Sequence, residues 1–126
     1  MIAIIDYDAG NIKSVEKALC LLGEEVILTR NPEEILSADK VILPGVGSFG
    51  IAMENIRKYQ LEDVIKQVVS SGTPFMGICL GMQLLFEESE ESPGVKGLSI
   101  LKGKIVRIPE VQQLKIPHMG WNSLSF

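Results

Sequence analysis

The sequence predicts an α/β fold built on a doubly wound, mostly parallel sheet, and three observations predict it. Short apolar runs alternate with stretches of helical periodicity along most of the chain. The runs are continuous rather than alternating, as expected of strands covered on both faces. The least ordinary local sequences, rich in Gly, Asp and Asn, fall just after those runs, where a parallel sheet gathers its functional residues.

Taken in order, residues 2–6 (IAIID) read as a buried strand and residues 8–11 (DAGN) as a turn. Ile12, Val15, Leu19 and Leu22 recur at helical spacing, and Gly23 is placed to stop that helix. Residues 25–29 form the second strand. Asn31, Pro32, Glu33 and Glu34 then supply an N-cap, a first-turn proline and two first-turn acids for a short helix. Residues 40–43 make the third strand, followed by the Gly-rich loop PGVGSFG (44–50). Helices are expected from about residue 51 and over 61–71, the latter with Val64, Ile65, Val68 and Val69 on its apolar face. Residues 75–78 form the fourth strand, and a helix begins over 81–87. These βα units, joined by right-handed crossovers, make a flavodoxin-like sheet. After the acidic turn ESEESPG (88–94) the texture changes. The segment LSILKGKIVRIP (98–109) alternates loosely and predicts added antiparallel strands.

The chain's 126 residues fit one domain, 1–126. A net charge of −4, with 12 scattered Lys and Arg, argues against nucleic acid as a partner. No basic leader precedes an apolar run, and no run nears the roughly 18 residues of a membrane span, so the expected location is the cytoplasm. Cys20 and Cys79 make neither a disulfide framework nor a metal-ligand spacing, and no metal or cofactor is expected.

The chemistry centres on Gly77-Ile78-Cys79-Leu80-Gly81, a G-x-C-x-G pattern between a strand and a helix. This has the form of a nucleophile elbow with Cys in place of Ser. A sharp turn strains the backbone at the nucleophile, and side chains two positions away would clash, hence the glycines. The helix N-terminus that follows favours a thiolate, and the Leu80 N–H is placed to help hold an oxyanion. Most free cysteines are small buried core residues, but the flanking glycines favour the nucleophile. Cys20 falls with Lys13, Glu16 and Lys17 on the polar side of its helix and is read as a bystander. PGVGSFG is more than a surface turn by its position at the end of the third strand. It lacks the G-K-[ST] of a phosphate loop, and a second oxyanion donor suits it better.

GICLGMQ (77–83) resembles the nucleophile motif of class I glutamine amidotransferases. DYDAGN (6–11), PGVGSFG (44–50) and PHMGWN (117–122) resemble, more narrowly, the glutaminase branch that serves imidazole glycerol phosphate synthase in histidine biosynthesis. PHMGWN is the most branch-specific of these, and the likeness runs the length of the chain. The resemblance implies that Cys79 attacks glutamine and forms a thioester, with Val46, Gly47 and Leu80 at the oxyanion hole. It implies that Gln83 and Glu91 bind the glutamine, Glu91 by its amino group. It also implies that ammonia passes to a cyclase subunit in a heterodimer, docked on a face containing Asn11, His118, Met119 and Trp121. Asp8 departs from the family's usual glycine, which bears on that face rather than on the chemistry. Without the resemblance, Glu88, Glu90 and Glu91 would read as a solvated charged turn.

His118 is the one histidine in the sequence, and composition alone would make it the catalytic base. The resemblance assigns it to the partner face instead. It places the catalytic His and Glu in an H-x-E segment that these residues do not contain. The domain is accordingly expected to be incomplete at its C-terminus, where 121–126 reads as the start of a strand. Two alternatives stand beside this reading. One keeps the glutaminase chemistry with a different ammonia acceptor, against which PHMGWN argues. The other is a non-catalytic partner-binding module, against which the intact GICLGMQ argues.

Overall fold

A computed structural model of the chain describes residues 1–111 and 115–126. Four strands, β1 (Ile2–Ile5), β2 (Val26–Thr29), β3 (Lys40–Leu43) and β4 (Phe75–Gly77), form one sheet in the order β2-β1-β3-β4. Every pairing in it is parallel, with Ile2 beside Val26 and Lys40, and Val41 beside Phe75. The crossovers are α1 (Ile12–Leu21), α2 (Pro32–Ser37), and α3 with α4 (Phe49–Lys58 and Glu62–Ser70). This is the doubly wound, flavodoxin-like order expected from the alternating pattern.

Period-two side-chain alternation divides the sheet between two apolar layers. Ala3, Ile5, Val41 and Leu43 face the larger one, shared with Ile35 of α2, Phe49, Met53 and Ile56 of α3, and Ile65 and Val68 of α4. Ile2, Ile4 and Ile42 face the smaller one, covered by Ile12, Val15 and Leu19 of α1. Leu22, expected on the same helix face, is the C-cap residue of α1 and is 76% exposed. Gly23 follows in the left-handed region at φ 84°, as a helix stop requires. The start of α2 is built as the sequence implies. Asn31 Oδ1 accepts the Glu33 N–H at 2.9 Å, and Pro32 begins the helix.

Two segments differ from expectation. The helix expected over 81–87 ends early, as α5 (Leu80–Gln83). The carbonyls of Leu84, Leu85, Phe86 and Glu87 accept N–H groups of Leu98, Ile100, Ser99 and Gly97, at 2.8, 2.9, 3.2 and 2.7 Å, so a passing loop takes the acceptors a longer helix would use. Antiparallel pairing near 98–109 is confined to an isolated bridge between Glu88 and Lys96. The regular pair there, β5 (Glu88–Ser89) with β6 (Lys104–Ile105), runs parallel. Ser99 at φ 55° and Gly103 at φ 124° break the extended run, and Leu98 drops into the core instead. Residues 121–126 are assigned to no strand and are exposed.

Candidate active site

The carboxyl ends of β1, β3 and β4 converge on the site, as a parallel sheet requires. Cys79 lies two residues past the end of β4, exposed, at φ 54° and ψ −118°. A non-glycine residue in that region is strained, and such strain gathers at functional sites. The two flanking glycines are each forced. A methyl on Gly77 would lie 2.6 Å from the Met82 Cα, and one on Gly81 would overlap the Leu43 carbonyl. The turn is therefore as tight as the G-x-C-x-G pattern implies, and it presents the sulfur to solvent.

The helix behind the cysteine is one short turn, too short to supply a full macrodipole. Its first N–H groups are also occupied. Those of Gly81 and Met82 bond to Ile78 and Cys79 carbonyls at 2.9 and 3.0 Å, and that of Gln83 to Cys79 at 3.2 Å. The Leu80 N–H bonds to the Gly45 carbonyl at 3.1 Å. This last contact matters most for chemistry. In a trans peptide the N–H of Val46 points opposite to the carbonyl of Gly45. The 45–46 peptide unit thus occupies the Leu80 N–H and directs the Val46 N–H away from it. Rotating that unit frees the Leu80 N–H and brings the Val46 N–H round to the same side. Gly47, at φ 100° with open space where a Cβ would be, leaves room for the rotation on its side of that unit.

Gln83 and Glu91, chosen as glutamine ligands, line one cavity of about 290 Å³ with Ser89, Glu90, Ile105, Val106 and Arg107. The acidic turn is tied down: the Ser89 hydroxyl accepts the Glu91 N–H at 3.3 Å, and Glu90 accepts the Arg107 N–H at 3.0 Å. Ser92 accepts the Gly50 N–H at 2.9 Å, which joins this turn to the Gly-rich loop. Sequence reasoning missed Ser92 and Arg107, because their partners are remote in the chain, and Ser89, whose contact is local.

The residues expected at a partner face are all exposed, with Met119 at 82% and Trp121 at 103%. Their recorded hydrogen bonds are local. Asn11 accepts the Ser14 hydroxyl at 2.7 Å, and the His118 ring meets the Asn122 amide at 2.9 Å. Asp8 sits at φ 67°, a conformation that favours glycine. Its carboxylate is held by the Tyr59 hydroxyl and by Arg30 Nη2 at 3.0 Å, while the Arg30 guanidinium stacks 3.9 Å from the Tyr59 ring centre. These ties offset the conformational cost of a non-glycine residue there.

Among the described residues no group of His, Cys, Asp and Glu side chains converges as a metal site. Nor is any helix among them long and apolar enough to cross a membrane.

Comparison with known proteins agrees with this geometry. The profile of the family "Glutamine amidotransferase class-I" matches residues 3–125. Imidazole glycerol phosphate synthase subunit HisH of Methanocaldococcus jannaschii is 56% identical over 98% of this chain and 61% of its own length. The HisH subunit of Bacillus subtilis is 53% identical over 100% of this chain and 61% of its own length. The chain thus spans about three-fifths of the length of the curated relatives it matches. A solved glutamine amidotransferase superposes with a TM-score of 0.71 at 25% identity, over 84% of this chain and 56% of that one.

Proposed function

Since this chain belongs to the class I glutamine amidotransferase family, we propose that it carries the nucleophile and the glutamine-binding groups of a glutaminase that feeds ammonia to a cyclase. The observation that supports this most is Cys79 itself, solvent-facing on a strained elbow whose flanking glycines admit no side chain.

In the proposed reaction the Cys79 thiolate adds to the side-chain amide carbon of glutamine. The carbonyl electrons move onto oxygen, and the oxyanion accepts the N–H groups of Leu80 and Val46 once the 45–46 peptide has rotated. Gly47 follows as the flexible joint of that loop. Collapse of the intermediate expels ammonia, which leaves with a proton from a general acid, and a thioester remains. A deprotonated water then adds to the thioester carbonyl, and glutamate departs as the sulfur is released. Glu91 meets the substrate ammonium and Gln83 hydrogen-bonds the bound glutamine, both from the cavity they line together. His118 is not assigned as the acid–base group, because the resemblance of PHMGWN places it at the proposed docking face.

The acceptor follows from the relatives. Both HisH subunits are named for imidazole glycerol phosphate synthase, so the proposed partner is its cyclase subunit. Asn11, His118, Met119 and Trp121 form the proposed docking face, with the exposed Trp121 as an anchor. The proposed location is the cytoplasm, where the two free thiols stay reduced.

The test is glutamate formation from glutamine by a chain extended to its relatives' length, with and without the cyclase. Cys79→Ala should lose roughly a thousandfold or more in rate, while Cys20→Ala stays near wild type. Cyclase activity supplied with free ammonia should survive. Substantial hydrolysis by Cys79→Ala would overturn the assignment.

A further inference from the structure

The period-two pattern of β1 runs past the end of the strand. Ala3, Ile5 and Tyr7 all enter the larger core, and Tyr7 is only 1% exposed. Its hydroxyl emerges from that core beneath the Gly-rich loop and donates to the Pro44 carbonyl at 2.5 Å. The same oxygen occupies the space a Cβ on Gly45 would need, so residue 45 must be glycine for the contact to exist. Burial raises the Tyr7 phenol well above its ordinary range, with the nearby Cys79 adding to the effect, so the hydroxyl stays a proton donor at any working pH.

We infer that Tyr7 is a positioning residue for the oxyanion loop: by holding the Pro44 carbonyl, it fixes the 44–45 peptide and confines rotation to the 45–46 peptide that carries the Val46 N–H. The inference rests on the glutaminase reading and deepens it. Three facts carry it together. The Gly45 carbonyl accepts the Leu80 N–H, the Pro44 carbonyl accepts the Tyr7 hydroxyl, and the two peptides are adjacent. With the first peptide anchored to a buried, fully packed ring, a change at the loop cannot spread back into β3. It is taken up next to the glycine, where the oxyanion donor swings. A side chain at residue 10 would crowd this loop, since a Cβ there would lie 3.1 Å from the Val46 Cγ2. Tyr7 touches no substrate in this account. It acts through the donor it places.

An oxyanion donor contacts the developing charge rather than ground-state glutamine, so its misplacement lowers kcat and spares KM. In the chain of relatives' length with its cyclase partner, Tyr7→Phe should lower kcat for glutamine about tenfold, leave KM within about twofold, and label Cys79 with iodoacetamide at the wild-type rate. Unchanged kcat would overturn the inference. So would matched losses in kcat, KM and labelling, which would mark a general packing defect. Should Tyr7→Phe fail to fold, 3-fluorotyrosine at position 7 keeps the hydroxyl, and its ¹⁹F resonance should remain a single sharp line when glutamine and cyclase are both added. A line that splits or broadens during turnover, as the ring leaves the Pro44 carbonyl, would overturn the inference equally. If wild type itself releases no glutamate, the glutaminase reading fails instead, which is a separable result.

Discussion

Glycine is required at two positions around Cys79 for different steric reasons, and this can be measured. At Gly81 the obstacle is the Leu43 carbonyl, held in place by β3, so neither neighbour can yield. Gly81→Ala should cost about 3 kcal/mol in a urea titration. Gly23→Ala, in open space at φ 84°, should cost only about 1–2 kcal/mol. Equal costs would show that the elbow is not sterically closed. Asp8 offers a test by pH. Its hydrogen bond from Tyr59, and then that from Arg30, hold its carboxyl below the ordinary value of 3.8. A depressed folded-state pKa contributes stability that is present above the unfolded value and is lost as pH falls through the folded value. Wild type should therefore exceed Asp8→Asn in urea midpoint at neutral pH, and the gap should close as the pH drops below 3.8. Asn keeps the left-handed backbone, so the comparison isolates the charge. A gap independent of pH would contradict the clamp. At this scale the elbow was legible, because a forced glycine marks the sequence at the very position where the crowding occurs. Tyr7 was not. Its partner Pro44 is 37 positions away, and only the continued β1 alternation hinted at its burial.

Elements were readable wherever local chemistry and tertiary packing agreed. The α2 start combines an Asn cap, a first-turn Pro and two acids, Glu33 and Glu34, and all of them appear in the structure. Asn31→Ala should cost about 1 kcal/mol, since it leaves the Glu33 N–H without its side-chain acceptor. A urea midpoint unchanged from wild type would contradict that contribution. The β strands were equally plain, because continuous Ile, Val and Leu runs suit a sheet buried on both faces. Disagreement arose where remote backbone competed with local propensity. The helix after Cys79 stops after Gln83 because residues 97–101 take its carbonyls, a contact with no local signal. Likewise, the loose alternation of 98–109 was overridden by left-handed backbone at Ser99 and Gly103. Shortness of α5 leaves no long helix dipole behind Cys79, so the proposed nucleophile relies on an acid–base group for its activation.

For the molecule as a whole, topology explains why distant motifs form one site. DYDAGN, PGVGSFG and GICLGMQ each follow a strand of the same parallel sheet, and so all three lie at its carboxyl edge. The sheet order brings β1, β3 and β4 side by side, which sets Tyr7 under Pro44 and Gly45 against Leu80. PHMGWN lies outside the sheet, and its exposed His118, Met119 and Trp121 belong to the proposed docking face rather than to the reacting centre. The account's central claim is that Cys79 is the nucleophile that meets glutamine bound beside Gln83 and Glu91. The most direct measurement treats the chain of relatives' length, with the proposed cyclase, with a glutamine analogue bearing an electrophilic ketone in place of the amide, followed by peptide mass spectrometry. The account predicts one adduct per chain, on the peptide containing Cys79, formed slowly in Glu91→Ala and suppressed by excess glutamine. Labelling spread equally over Cys20 and Cys79, and indifferent to glutamine, would contradict it.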